Sequence, residues 1–171
     1  MVVLLRISRQ MMVFFLVASL LGCATPLPDR KKTELGLYLT ANQTHELLKT
    51  DNQQILFVDI RNQAELASIG MPRLIDANIP YLLTKKNEKK VKKVVNPDFV
   101  SALEQKLAKK SLDKQSTIIL ICREGRRSPL AVNALAKLGY NKVYSVIDGV
   151  KGWQKGGLPW ADYEFDRDII E

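Results

Sequence analysis

The chain has 171 residues, a length suited to one domain of ordinary size. With 46% hydrophobic and 26% charged residues it is excluded from the disordered class. The formal net charge of +8 points to small anionic substrates or an anionic surface; with no RNP-like aromatic pattern and no other nucleic-acid motif, nucleic acid is not expected as a partner.

The first segment, "MVVLLRISRQ", supplies Arg6 and Arg9, and "MMVFFLVASLLG" adds an apolar stretch the length of a signal-peptide core. A spanning helix needs roughly 20 apolar residues, and the two arginines interrupt any longer run. The segment closes on "LLGC", which resembles the lipobox of bacterial lipoproteins through Leu20, Gly22 and Cys23. That resemblance implies removal of residues 1–22 and lipid on Cys23. The mature chain would then carry about +6 by the same count. It also implies a cell-envelope protein anchored to a membrane through Cys23 and facing the periplasm. Ala24 stands where an aspartate favours inner-membrane retention, so the outer membrane is preferred. Residues 24–33, "ATPLPDRKKT", offer two prolines and several charges but nothing to bury, and read as a tether reaching about 35 Å when extended.

From Leu35 the pattern becomes periodic, and the domain is expected over residues 35–162. "GLYLT" reads as a short strand and "NQTHELLKT" as a helix capped by Asn42. "QILFVDI" has the continuous apolar, partly β-branched character of a buried strand. "NQAELAS" reads as a helical turn and "LIDANIPY" as extended. "NPDFVSALEQKLAKK" is amphipathic, with Phe99, Leu103 and Leu107 on one face. "STIILIC" is a second buried strand, "SPLAVNALAKLGY" a helix and "KVYSVI" a further strand. The tail "FDRDIIE", within residues 163–171, is expected to fray. Strands with continuous apolar runs alternating with helices predict an α/β domain, its mostly parallel central sheet covered by helices on both faces.

"TKKNEKKVKK" places Lys85, Lys86, Lys89, Lys90, Lys92 and Lys93 around the single Glu88. Its expected form is a solvated loop. The sharper reading is contact with anionic head groups or envelope polymer, since each lysine near such a surface contributes about 1 kcal/mol.

There are two cysteines, Cys23 and Cys122. With lipid on Cys23, Cys122 is the sole remaining thiol and a candidate nucleophile rather than half of a disulfide. It ends an apolar strand, and ligand sites of α/β folds lie at the carboxyl ends of strands. Ser128 suits an N-cap and Pro129 a first helical position, so only "REGRR" separates the cysteine from the helix. A loop that short must curl, with Gly125 supplying the unusual dihedral. Its N–H groups, with those of the helix, form an anion cradle. Fixed arginine charge and a helix N-terminus favour a thiolate at its focus.

"CREGRRS" is similar to the active-site loop of single-domain rhodaneses, C-R-x-G-x-R-[ST]. "FVDIRNQAEL" resembles that family's D-x-R-x-x-x-E segment through Asp59, Arg61 and Glu65. "DANIPY" and "DGVKGWQKGGLPW" resemble two further family segments in the family's order. Gly70-Met71 replaces the usual glycine–histidine pair and Asp148 a glycine; the lysine-rich stretch resembles an insertion. The resemblance implies a rhodanese-like fold over about residues 35–160. It further implies sulfur transfer from a thiosulfate-like anion to a thiol or cyanide through a persulfide on Cys122, without a cofactor. Arg123, Glu124, Gly125, Arg126, Arg127 and Ser128 would form the anion-binding loop. Arg123 and Arg126 would face the substrate, and Arg127 would brace the loop against a carboxylate such as Asp59, with Asp59 and Arg61 as support.

The rival readings are a persulfide carrier or redox-sensing module without fast turnover, and a cysteine phosphatase. Phosphatases of this fold use C-x5-R, and counting from Cys122 that arginine position holds Ser128. His45 is read as a surface residue. Trp153 and Trp160 are read as packing residues, Trp153 with a possible place at the pocket rim. One histidine and one thiol make no metal site.

Overall fold

The computed structural model describes residues 26–87 and 90–162. The signal-like segment, Cys23 and the tail 163–171 lie outside the described residues. Two apolar runs build the centre: β2 (Ile55–Asp59) and β7 (Thr117–Ile121) pair in parallel, Ile55 opposite Thr117 and Asp59 opposite Ile121. Around them stand β1 (Tyr38–Leu39), β4 (Ala77–Asn78) and β8 (Val143–Val146), giving a five-stranded sheet in the order β1-β8-β7-β2-β4 with every pairing parallel.

Side chains alternate across that sheet because successive strand residues point to opposite faces. Leu56, Val58, Ile118 and Leu120 pack with α3 (Phe99–Lys109) and α4 (Ser128–Ala136) through Phe99, Leu103, Leu107, Ala131, Val132 and Leu135. Ile55, Phe57, Ile119 and Ile121 pack on the other side with α1 (Ala41–Asp51), α2 (Gln63–Ile69) and α5 (Gly149–Lys155). The predicted α/β architecture, with a parallel sheet covered on both faces, is therefore observed, and the predicted apolar face of α3 is buried.

Five expectations change. The cap of α1 is Thr40 rather than Asn42: Thr40 accepts from the Gln43 N–H while the Gln43 side chain accepts from the Thr40 N–H, a reciprocal pair that Asn42 cannot form. The lysine-rich stretch is not a loop but an antiparallel hairpin, β5 (Leu82–Asn87) with β6 (Lys90–Val95), paired only to itself. Residues 29–34 are not free tether: Asp29–Lys31 form a 3-10 turn, the Lys31 ammonium donates to the Ile147 carbonyl at 2.5 Å and the Glu34 N–H donates to Asn133 Oδ1 at 2.9 Å. His45 is only partly a surface residue, since its largely covered ring packs edge-on to Trp153. Trp153 itself is core, stacked on Phe57, and not at a rim. A small antiparallel pair, β3 (Met71–Pro72) with β9 (Trp160–Ala161), fastens the C-terminal segment to the domain.

Candidate active site

Cys122 follows the last residue of β7, and its side chain is 1% exposed. The chain then curls over five residues into α4. Gly125 has φ +71°, and a β-carbon there would lie 2.1 Å from the Ile147 carbonyl oxygen, so only glycine permits this approach. The Arg127 N–H points back at the sulfur, 3.4 Å from Sγ. Among the described residues, the N–H groups of Glu124, Gly125 and Arg126 have no acceptor. The short loop thus curls as the sequence leads one to expect and brings one of its N–H groups to the sulfur.

The loop is stitched down from two sides. The first N–H groups of α5 reach it, Val150 donating to the Cys122 carbonyl at 2.9 Å and Lys151 to that of Arg123 at 3.2 Å. Gly149, at φ +61°, allows this contact; a β-carbon would stand 2.3 Å from the Cys122 carbonyl oxygen. From the other side comes helix α2. The Arg127 guanidinium donates two hydrogen bonds to the Glu65 carboxylate, at 2.7 and 2.6 Å. Burial alone would raise the Glu65 carboxyl and lower Arg127. Their mutual hydrogen bonds and charge outweigh it, so Glu65 is held below the usual carboxylate range and Arg127 above its own.

The expected brace between Arg127 and Asp59 is therefore corrected. Asp59 is fully buried and already engaged by Arg61: Nη2 donates to Oδ2 at 2.6 Å, Nε at 2.9 Å, and the Arg61 N–H to Oδ1 at 2.9 Å. Burial pushes the Asp59 carboxyl up, against the pull of the Arg61 charge and hydrogen bonds. Arg61 also donates to the Gly70 carbonyl, and Asn78 Nδ2 to the backbone carbonyls of Asp59 and Arg61, so this pair fixes the end of β2. It is supporting structure beside the loop, and Glu65 is the residue whose role the sequence left unassigned.

Ser128 departs from its expected role as well. It is the first residue of α4, with Arg127 in the cap position, and its hydroxyl does not cap. It points inward, 3.7 Å from Cys122 Sγ and 2.8 Å from the hydroxyl of Ser145 on β8, all three side chains buried. Two hydroxyls carry two protons. If Ser128 donates to Ser145, the Ser145 proton has no acceptor. If Ser145 donates to Ser128, the Ser128 proton goes to the sulfur. When Cys122 is a thiolate, the second arrangement leaves no buried donor unpaired and is the favoured one.

The outward-facing charges divide differently from expectation. Arg123 forms no ion pair among the described residues and lines a cleft of about 310 Å³ with Asn62, Glu65 and Ile69. Arg126 is paired to Glu124 at 3.2 Å, and the same carboxylate holds Lys151. Hydrogen bonding to Lys151, with the charges around it, keeps the Glu124 carboxyl below its ordinary range. The departures from the family pattern have local uses. Asp148 accepts from the Ala41 N–H at 2.8 Å, tying α1 to the start of α5, and Met71 is a buried part of the core.

A parallel α/β sheet whose strand β7 runs into a buried cysteine, with a short loop curling from it into helix α4, is the frame of the site. The sequence profile of the rhodanese-like domain matches residues 40–156, and the chain belongs to that family. It is 29% identical over 128 residues to an uncharacterized protein of Rickettsia prowazekii, covering 71% of this chain and 94% of that one. Over 47 residues it is 45% identical to the thiosulfate sulfurtransferase GlpE of Actinobacillus succinogenes, covering 28% and 42% of the two chains. A crystal structure from Mycobacterium tuberculosis superposes with a TM-score of 0.52 at 24% identity, covering 74% of this chain and 97% of that one, a likeness of fold.

Proposed function

We propose that this protein is a sulfurtransferase that moves sulfane sulfur from thiosulfate, or a similar anion, to a thiol or cyanide through a persulfide on Cys122. The observation that carries the reading is the Arg127 N–H directed at Cys122 Sγ, within a loop whose other amides are free to bind an anion. The thiolate attacks the outer sulfur of thiosulfate, the sulfur–sulfur bond to the sulfonate group breaks, and sulfite leaves with the bonding pair. The acceptor then attacks the terminal sulfur of the persulfide, and the second bonding pair returns to Cys122. This is two-step covalent catalysis with ping-pong kinetics. Arg123, Gly125 and Arg126 surround the anion, Arg127 and Glu65 hold the loop, and the Ser128 hydroxyl donates to the sulfur. The thiosulfate sulfurtransferase named among the relatives supports the donor class.

We further place the protein in the cell envelope, anchored by lipid on Cys23, facing the periplasm and preferring the outer membrane; the lipobox-like "LLGC" supports this. The deciding experiment on the chemistry is mass spectrometry of the intact protein with excess thiosulfate. One sulfur, about 32 Da, is expected on Cys122, removed by cyanide with release of thiocyanate, and absent in Cys122→Ser. A mass unchanged by thiosulfate and by mercaptopyruvate rules out sulfur transfer. A persulfide that forms but turns over only with a protein partner establishes the carrier instead.

A further inference from the structure

Beyond Leu82, hairpin β5–β6 is absorbed neither by the core nor by the site. Its register sets Lys85 directly opposite Lys92 and Thr84 opposite Lys93. Like charges facing each other across strands destabilise a hairpin, and a two-stranded hairpin is marginal to begin with. Among the described residues, Lys85, Lys92 and Lys93 pair with no carboxylate. The same hairpin exposes Val91 (66%) and Val95 (55%). The only other large hydrophobic side chains exposed among the described residues are Leu130 (53%) and Leu138 (50%), on α4 and just beyond its end.

The root of the hairpin reaches α4. At the hairpin's root, Tyr81 donates to the Leu130 carbonyl at 3.4 Å, and Leu82 packs on the core that holds Ala131, Val132 and Leu135. The N-terminal segment touches the same helix through the bond from the Glu34 N–H to Asn133, and nearer the N-terminus Lys31 binds the Ile147 carbonyl. Cys23 lies eleven residues before Glu34, so any anchor there holds this side within about 40 Å of its membrane.

We propose that the hairpin, with Leu130 and Leu138, is a docking surface for anionic phospholipid head groups, lysines to the phosphates and apolar side chains to the interface. The charge argues against a second copy as occupant, because a symmetric pairing of this face would set lysines against lysines. The proposal extends the membrane attachment given above, and one experiment separates the two. The full chain is mixed with neutral phosphatidylcholine vesicles and with vesicles containing one-quarter phosphatidylglycerol, floated, and acetylated. Mass spectrometry then reads Lys85, Lys92 and Lys93 against Lys155, which lies on the opposite face of the sheet. The expected result is protection of the three lysines on anionic vesicles only, relieved by high salt. Each lysine near such a surface strengthens binding about fivefold, so Lys85→Gln/Lys92→Gln should expose Lys93 by about 25-fold. Flotation with both vesicle types and equal lysine reactivity on both overturns the docking surface and leaves the anchor standing. A chain that floats with neither overturns both. Protection by an acidic polymer without protection by vesicles assigns the face to another partner and overturns the proposal.

Discussion

Arg127 and Glu65, far apart in sequence, are joined by two parallel hydrogen bonds of 2.7 and 2.6 Å between the cysteine loop and helix α2. Both side chains are mostly covered, at 16% and 19% exposure. Removing one partner of such a pair strands the other charge, at a cost of about 3 kcal/mol, or roughly 6–12 °C in melting temperature for a domain of this size. Arg127→Ala and Glu65→Ala should each show this loss, and the double variant should lose less than the two single losses summed. Strict additivity in thermal melts counts against the pair as the loop's brace.

The pair also sets an acid limit. Glu65 is depressed in the folded state, so its contribution is complete above the unfolded glutamate value of about 4.3 and is lost as pH falls through the lower folded value. Stability should decline below about pH 4 more steeply in the wild type than in Glu65→Gln. Parallel denaturant titrations from pH 6 to 2.5 measure the difference; coincident slopes rule out this linkage.

Arg123 and Arg126 should separate kinetically. Arg123 lines the cleft without a carboxylate partner, while the Arg126 charge is already met by Glu124. Losing one solvent-screened charge near an anion is worth about 1 kcal/mol, so Arg123→Ala should raise KM for thiosulfate about fivefold with kcat little changed. Salt should mask the gap. Arg126→Ala should do less. A larger KM effect for Arg126→Ala reverses the assignment.

The hydroxyl chain yields a sharper contrast. Ser128→Ala removes the donor to the sulfur and leaves the buried Ser145 hydroxyl unpaired, at a cost of about 1–3 kcal/mol. Ser128→Ala/Ser145→Ala should therefore melt higher than Ser128→Ala alone, while both alkylate Cys122 equally slowly. Should the double variant melt lower, the proton order given above is wrong.

Much of this arrangement was legible in the chain because it is local. The runs ending at Asp59 and Cys122 declare buried strands, the spacing of Phe99, Leu103 and Leu107 declares a helix face, and five residues between a strand and a helix can only curl. What was not legible depends on distance or competition. Nothing near Arg127 in sequence reveals that Asp59 is already taken by Arg61, which leaves Glu65 as the free carboxylate. Ser128 has the composition of a cap, but a buried hydroxyl and a sulfur draw its side chain inward. The hairpin hid because a lysine-rich run satisfies the pattern of a solvated loop equally well, and its register is a backbone property.

The two bonds from Val150 and Lys151 to the carbonyls of Cys122 and Arg123 also bear on biogenesis. Cys122 is synthesised more than twenty residues before the helix that pins its loop in place. A nascent or translocating chain that has exposed Cys122 but not yet delivered Gly149–Lys155 carries a thiol without its finished cradle. Completion of the loop is thereby deferred until Gly149–Lys155 have emerged, and a product truncated ahead of Gly149 would keep the cysteine yet lack the enclosure that disciplines it.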